Sequence, residues 1–234
     1  MARILVVDDE TTIRMMIRMA LEWAPPSAPH FSHEVAVADE GEAGLQAYGN
    51  GQAWDLVLLD QRMPGLEGIE VLRRMRERNP SARIMMVTAF GTIDLAFRAM
   101  QAGATDFLRK PFTADILRGA VQQALQAPPA ETSRFGQAAI NGFRFSSLGD
   151  NRFRVRNPVG EQQEVQVQLQ PALRRQVEKI VPGPVPDPWW QELAEEVLAN
   201  HVWQHSDFPP AELRVEELTT GLRRWIDAIL TRTA

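Results

Sequence analysis

The sequence predicts a doubly wound α/β fold with five parallel strands, followed by a smaller α+β domain with a short antiparallel sheet and two to three helices. Three observations carry this expectation. Short continuous apolar runs alternate with amphipathic helical patterns through the first 125 residues. A Pro-rich, small and polar break, QAPPAETS at 126–133, closes that half. Beyond it, short strand-like segments are punctuated by the turn-like LGDN and NPVGE. The organisation read from this is an N-terminal domain over 1–125, a linker over 126–134 and a C-terminal domain over 135–234.

The elements follow in order. Ile4 to Val7 is an unbroken apolar run, as a strand buried on both faces requires. Thr11 to Trp23 is helical, with Ile13, Met16, Ile17, Ala20 and Leu21 on one side. A Pro-rich loop at 24–32 leads to a second strand at Val35 to Ala38 and a short helix at Glu42 to Tyr48. Leu56 to Leu59 is a third buried strand ending at Asp60, and MPGLEG turns the chain into a helix marked by Ile69, Leu72 and Met75. Ile84 to Val87 is a fourth strand ending at Thr88. Ile93 to Gln101 is a helix closed by Gly103, a residue free to take the left-handed conformation that ends helices. Asp106 to Leu108 is a fifth strand before Lys110 and Pro111, and Ala114 to Gln126 is the last helix of this half.

Composition narrows the function classes. The chain has 234 residues, a formal net charge of −5 and no cysteine. Disulfides and thiolate metal sites are therefore excluded, and no global positive charge recruits nucleic acid. The N-terminal apolar run is too short for a secretory signal or a membrane helix, which needs about 20 apolar residues. A cytoplasmic protein with no membrane partner is expected. Arginine outnumbers lysine 23 to two, the lysines being Lys110 and Lys179.

Ligands of a doubly wound sheet sit beyond the carboxyl ends of its strands. Asp8 and Asp9, Asp60, Thr88 and Lys110 all fall at such ends. Two carboxylates about 4 Å apart repel by roughly 4 kcal/mol at an effective dielectric near 20. Three of them together call for a divalent cation, and hard oxygen ligands with open positions suit Mg²⁺. Lys110 adds a point charge for a phosphoryl oxygen, and Thr88 adds a hydroxyl donor. These are the parts of a phosphoryl-transfer site with a carboxylate nucleophile.

The stretches ILVVDDE, DLVLLDQRMPGLEG and IMMVTAFGTIDLAFRAMQAGATDFLRKPF resemble a response-regulator receiver domain, the CheY-like module of two-component signalling, over residues 3 to about 125. Thr88 to Phe112 is most similar to receivers of the nitrogen-regulation, enhancer-binding type. The resemblance implies a flavodoxin-like sheet and a phosphorylation-dependent switch rather than an enzyme with an external substrate. It implies that Asp60 accepts phosphate from a histidine kinase or phosphotransfer protein. Asp9, Asp60 and the backbone carbonyl of Arg62 would ligate Mg²⁺ directly, with Asp8 acting mainly through water. Thr88 and Lys110 would hold the phosphoryl oxygens, and the Lys110–Pro111 bond is expected to be cis.

On phosphorylation Thr88 would move towards Asp60 and let the aromatic at 107 turn inward. Many members carry Tyr there; this chain has Phe107. Arg62 and Phe90, each two residues past a site residue, are bulky enough to obstruct the hydrolytic water and lengthen the phosphoprotein's lifetime. A homodimer through the fourth helix, fifth strand and fifth helix is also implied. Arg98, Asp106, Arg109, Asp115 and Arg118 are its candidate ion-pair partners.

The C-terminal half has no motif of that specificity. Strands are expected at Phe143 to Phe145, Phe153 to Arg156 and Val165 to Leu169. PALRRQVEKIV is expected to be helical, as are Trp189 to His205 and Glu212 to Thr231. Residues 135–234 carry 11 basic and 13 acidic side chains, so the output domain is slightly acidic. Arg152, Arg154 and Arg156 would share one face of a strand. No helix-turn-helix and no G-x-x-x-x-G-K-[ST] motif is present. His201 and His205 have helical i, i+4 spacing but no third metal ligand nearby in sequence. An output that engages a partner protein or a second copy is expected first, and an atypical DNA-binding output second.

Overall fold

The computed structural model describes residues 1–23, 32–89, 93–126 and 139–233. Two compact units appear. The first comprises Met1–Arg134 together with Ala138–Gly142 and Pro158–Gly160, and the second holds the remaining chain.

The first unit alternates strands and helices: β1 (Arg3–Val7), α1 (Thr11–Glu22), β2 (Glu34–Ala38), α2 (Gly41–Gly49), β3 (Leu56–Leu59), α3 (Gly68–Arg78), β4 (Ile84–Thr88), α4 (Ile93–Gln101), β5 (Asp106–Arg109) and α5 (Ala114–Gln126). The strands pair in parallel in the order β2-β1-β3-β4-β5. This is the predicted doubly wound sheet. Every residue of β3 and β4 is buried, which explains their unbroken apolar sequences: both faces are covered by helices. One core layer packs Ile4, Val6, Leu56, Leu58, Met85 and Val87 against Ile17 and Leu21 of α1 and Leu117 and Val121 of α5. Burying each such side chain contributes about 1.5–3 kcal/mol. The strand order reverses at β1, so the crevice between the ends of β1 and β3 is the topological switch point of the sheet.

A sixth strand, β6 (Ala139–Ile140), pairs in parallel with β5. No sequence signal announces this two-residue strand, because its partner lies more than 30 residues away. Its pairing continues into Asn141, whose N–H donates to the Phe107 carbonyl at 2.6 Å and whose Oδ1 accepts the Arg109 N–H at 2.8 Å. Asn141 takes φ 53°, a left-handed conformation that Asn tolerates, and Gly142 follows at φ 72°. The expected linker lies, apart from Gln126, outside the described residues.

The second unit contains β7 (Phe143–Gly149), β8 (Arg152–Arg156), β9 (Gln162–Leu169), α6 (Pro171–Glu178), α7 (Asp187–His205), β10 (Glu212–Val215) and α8 (Thr220–Thr233). Strands β7, β8 and β9 form the antiparallel meander that the turn signals predict. Helices α6 and α7 then carry the chain back, so β10 joins the edge of β9 in parallel. The expected helix over Glu212 to Thr231 is corrected here: its first part is β10, and α8 begins at Thr220. The four residues ELRV alternate exposed and half-buried positions, and only the distant edge of β9 decides their conformation. Phe145, Phe153, Val155, Val165 and Val167 form the inner face, and α7 packs on β7 and β9. Among the described residues no helix is long and apolar enough to cross a membrane.

Candidate phosphoacceptor site

The crevice at the switch point gathers the residues that the strand ends supply. The Asp8 N–H donates to the Ala38 carbonyl at 3.1 Å, and the Asp60 N–H donates to the Val7 carbonyl at 2.8 Å. These bonds align the ends of β1, β2 and β3. The Lys110 N–H donates to the Thr88 carbonyl at 2.9 Å, which does the same for β4 and β5. The Lys110–Pro111 bond is cis. Gly68, at the start of α3, is required by close approach. A Cβ there would lie 2.0 Å from the Asp60 carbonyl oxygen. Gln61 fastens the same loop: its Oε1 accepts the Ile69 N–H at 3.1 Å.

Asp8, Asp9 and Asp60 bring carboxylate oxygens within 4.8 Å of one another. Asp8 and Asp60 are buried, and Asp9 is exposed. The Lys110 ammonium sits among them, 2.7 Å from Asp8 Oδ2, 3.3 Å from Glu10 Oε1 and 3.5 Å from Asp60 Oδ2. Thr88 is fully buried, and its hydroxyl favours the ionised form of the Asp60 carboxylate.

Burial pushes the Asp60 carboxyl above its ordinary range, with the charge of Asp8 adding to the rise; Lys110, Thr88 and the Gln61 N–H offset only part of it. Burial raises Asp8 as well, against the hydrogen bond and charge of Lys110. Desolvation alone would lower Lys110, yet the Asp8 hydrogen bond and the charges of Asp60, Asp8 and Glu10 outweigh it, and its pKa stands above the usual value. One ammonium thus faces three carboxylates, Asp8, Glu10 and Asp60, with the Asp9 carboxylate also close to those of Asp8 and Asp60. The negative excess and the hard oxygen donors fit a divalent cation.

All five strand-end residues, Asp8, Asp9, Asp60, Thr88 and Lys110, therefore lie at one edge. Arg62 is exposed on the loop after β3. Phe90 lies outside the described residues. Phe107 is fully buried in the middle of β5, in register with Met86 on one side and Ile140 on the other. Glu10 and Arg14 join the site beyond the expected set. The Arg14 guanidinium donates to the Asp8 carbonyl at 2.6 Å. Glu10 was visible as the third acid of DDE. Arg14 lies one helical turn beyond it, and only the geometry of α1 brings it back to Asp8.

A family model described as the response regulator receiver domain matches residues 4–122, slightly more than half of the chain. This chain belongs to the response regulator receiver family. The transcriptional regulatory protein FixJ of Bradyrhizobium diazoefficiens is 37% identical over 131 residues, which are 56% of this chain and 60% of FixJ. The chemotaxis protein CheY of Bacillus subtilis is 37% identical over 123 residues, which are 53% of this chain and 97% of CheY. A solved CheY-like receiver domain from Methanospirillum hungatei is 28% identical with a TM-score of 0.49, covering 54% of this chain and 94% of the other. The chain thus spans little more than half of FixJ, and the likeness lies in the receiver half. No family is assigned to the C-terminal unit.

Proposed function

We propose that this chain is a phosphorylation-switched response regulator in which Asp60 accepts a phosphoryl group from a histidine kinase or a phosphotransfer protein. The observation that carries this reading is the Lys110 ammonium held against the buried strand-end carboxylates of Asp8 and Asp60 and against Glu10, with the buried Thr88 favouring the ionised form of Asp60. An Asp60 carboxylate oxygen attacks phosphorus, the donor's N–P bond breaks, and the donor imidazole leaves. Asp9, Asp60 and the Arg62 backbone carbonyl would hold Mg²⁺, with Asp8 assisting through water. The ion supplies charge neutralisation between the carboxylates and the incoming phosphoryl oxygens. Lys110 binds one phosphoryl oxygen as a point charge and Thr88 donates to another. The chemistry of the receiver ends with transfer to Asp60 and its slow hydrolysis, with no external substrate turned over. This reading places the chain in the cytoplasm, where phosphodonor proteins would reach the crevice.

The signal leaves the site through Thr88 and Phe107. Phosphorylation adds about −1.5 to −2 charge at Asp60. Thr88 is drawn to the new oxygens, and the packing of Phe107 on β5 follows. A receiver homodimer through α4, β5 and α5 is compatible with this switch only after β6 leaves the β5 edge. Its ion-pair set also shrinks. Asp106 is fully buried, and Arg118 is turned to α1, where it donates to the Ala20 carbonyl at 2.9 Å. Arg98, Arg109 and Asp115 remain as candidates.

The C-terminal unit is the output in this reading. Engagement of a partner protein or a second copy is one function for it. The other is binding of DNA, and the arginines of β8 favour it: all three are exposed on one face. Names such as that of FixJ agree with a regulator of transcription. The test of the phosphoacceptor is direct. Intact-mass measurement after incubation with acetyl phosphate and Mg²⁺ is expected to show one added phosphoryl group in the wild type and none in Asp60→Asn. Equal uptake by both proteins rules the assignment out.

A further inference from the structure

Helix α7 has 19 residues, and its last two turns carry His201 and His205. Leu198, Val202 and Trp203 are buried and fasten this end of the helix into the core of the second unit. The backbone under both histidines is thereby fixed. His201 is half-buried and His205 is exposed. A spacing of four residues makes their side chains neighbours on the helix surface. The ring centres are 4.5 Å apart, with the planes tilted by 41°. Neither ring has a hydrogen-bond partner among the described residues, so their nitrogens are committed to no other group there.

That separation has a chemical meaning. Imidazole nitrogens bind Zn²⁺ at about 2.0–2.1 Å. Two imidazoles on one ion then have ring centres roughly 4.5 Å apart at a right angle and roughly 5 Å apart at a tetrahedral angle. The surrounding charge points the same way. The last carbonyls of a helix carry the negative end of its dipole, which favours a cation. Helix α7 ends directly after His205, at Ser206, which takes φ 53° and whose N–H donates to the Val202 carbonyl at 2.8 Å. Asp207 follows, and its carboxylate charge acts on the His201 ring. One Asp207 oxygen accepts the Phe208 N–H at 2.7 Å, which keeps the carboxylate at the helix end. Burial, joined by the charge of His205, disfavours the protonated form of His201, and neutral imidazole is the form that ligates.

We propose that His201 and His205 chelate one divalent ion of the nickel, copper and zinc group, with Asp207 and water completing its coordination. Among the described residues, the group of three ligating side chains gathered within 4.8 Å is that of Asp8, Asp9 and Asp60. The second unit thus offers a fixed pair rather than a finished triad, and Asp207 swings in when the ion binds. Imidazole suits zinc, copper and nickel, whereas carboxylate and water oxygens suit magnesium and manganese. The pair and the receiver carboxylates therefore select different metals. The pair neither needs phosphoryl transfer at Asp60 nor supports it.

The experiment is titration calorimetry of the full chain with MnCl₂, NiCl₂, CuCl₂ and ZnCl₂, in excess Mg²⁺ as the competitor for oxygen sites. One ion per chain is expected, with affinity rising from Mn²⁺ through Ni²⁺ to Cu²⁺ and Zn²⁺ below Cu²⁺. His201→Ala and His205→Ala, made separately, are each expected to weaken Ni²⁺ binding by about ten-fold or more, since each leaves a single imidazole. Gln204→Ala, an exposed neighbour on the same turn, is expected to leave it unchanged. Amide exchange supplies a second readout. Ni²⁺ should slow exchange at Trp203, Gln204 and His205 in the wild type and not in His205→Ala. Absence of Ni²⁺ and Cu²⁺ uptake by the wild type overturns the proposal. So does equal uptake by His205→Ala, or Mn²⁺ bound as tightly as Cu²⁺, the pattern of a carboxylate site. His205 is exposed, so its variant folds; should His201→Ala fail to fold, His205→Ala decides.

Discussion

Lys110 shows what a single side chain must supply here. Its Nζ contacts Asp8 and Glu10 within 3.3 Å and faces Asp60 at 3.5 Å, from a position only 6% exposed. A compact ammonium can be shared among three carboxylates. The planar guanidinium of arginine is wider and directional. In a chain with 23 arginines and two lysines, that geometry explains why lysine stands at 110. Lys110→Arg is expected to fold and to take phosphate from acetyl phosphate about ten-fold or more slowly, a loss of at least ~1.4 kcal/mol of transition-state stabilisation. Uptake at the wild-type rate would show that charge alone suffices. Arg62 is expected to act later, on the lifetime. Dephosphorylation of Arg62→Asn and of Phe90→Glu, followed after removal of the phosphodonor, is expected to be several-fold faster than wild type for at least one of them. Unchanged rates in both dispose of the steric explanation. These side chains were legible without a structure because strand ends announce them. Asp8, Asp60 and Thr88 each follow an apolar run of consecutive Val, Ile, Leu and Met residues, whereas Lys110 follows the shorter DFLR. Arg14 was not legible, since its contact with Asp8 is made through the turn of α1.

Elements show where such reading stops. The five strands of the receiver sheet have strong local patterns, and their helices have clear amphipathic stripes. Strands β6 and β10 do not. Two residues in one and four in the other are too short for periodicity, and each is held by pairing with a distant edge. The β6 segment nonetheless has consequences for the receiver. Asn141 is 2% exposed and grips β5 on both sides of Leu108, through the Phe107 carbonyl and the Arg109 N–H. Pro158 of the same compact unit lies over α5, so close that a Cβ on Gly119 would fall 2.1 Å from its carbonyl oxygen. Asn141→Ala is expected to cost about 1–2 kcal/mol of local stability by removing the buried side-chain acceptor at the Arg109 N–H. Gly119→Ala is expected to displace Pro158. Amide exchange checks both: protection at Ile140 and Arg109 should fall in Asn141→Ala, while β1 and β3 stay protected. If exchange at Arg109 does not change, the side-chain clamp carries no stability. The same two variants bear on assembly. A homodimer through α4, β5 and α5 should form more readily on phosphorylation in Asn141→Ala than in the wild type, as read by light scattering.

The chain divides into two compact units, so its unfolding is expected to show two transitions. Each has its own lever. Mg²⁺ should raise only the receiver transition, by about 2.7 kcal/mol at a hundred times its Kd. The lever on the C-terminal unit is Glu195 in α7. Burial, reinforced by the charge of Glu192 one turn earlier, lifts its carboxyl from 4.5 to about 7. A folded-state pKa raised in this way stabilises most at low pH. The contribution is fully present below about 4.5, where the residue is protonated in both states, and is lost as pH rises through about 7. Above that range the unit holds a carboxylate in an apolar setting beside a second one. Glu195→Gln keeps the size of the side chain and removes the ionisation. Its C-terminal transition is expected to exceed that of the wild type at pH 8 by on the order of 1–3 kcal/mol. The difference should shrink below about pH 7 and disappear towards pH 4, and the receiver transition should not move with the substitution at either end. Calorimetry of both proteins across that range checks all three. A gain that persists undiminished at pH 4 would assign the effect to packing instead of charge, and a shift of both transitions would show that the two units unfold as one.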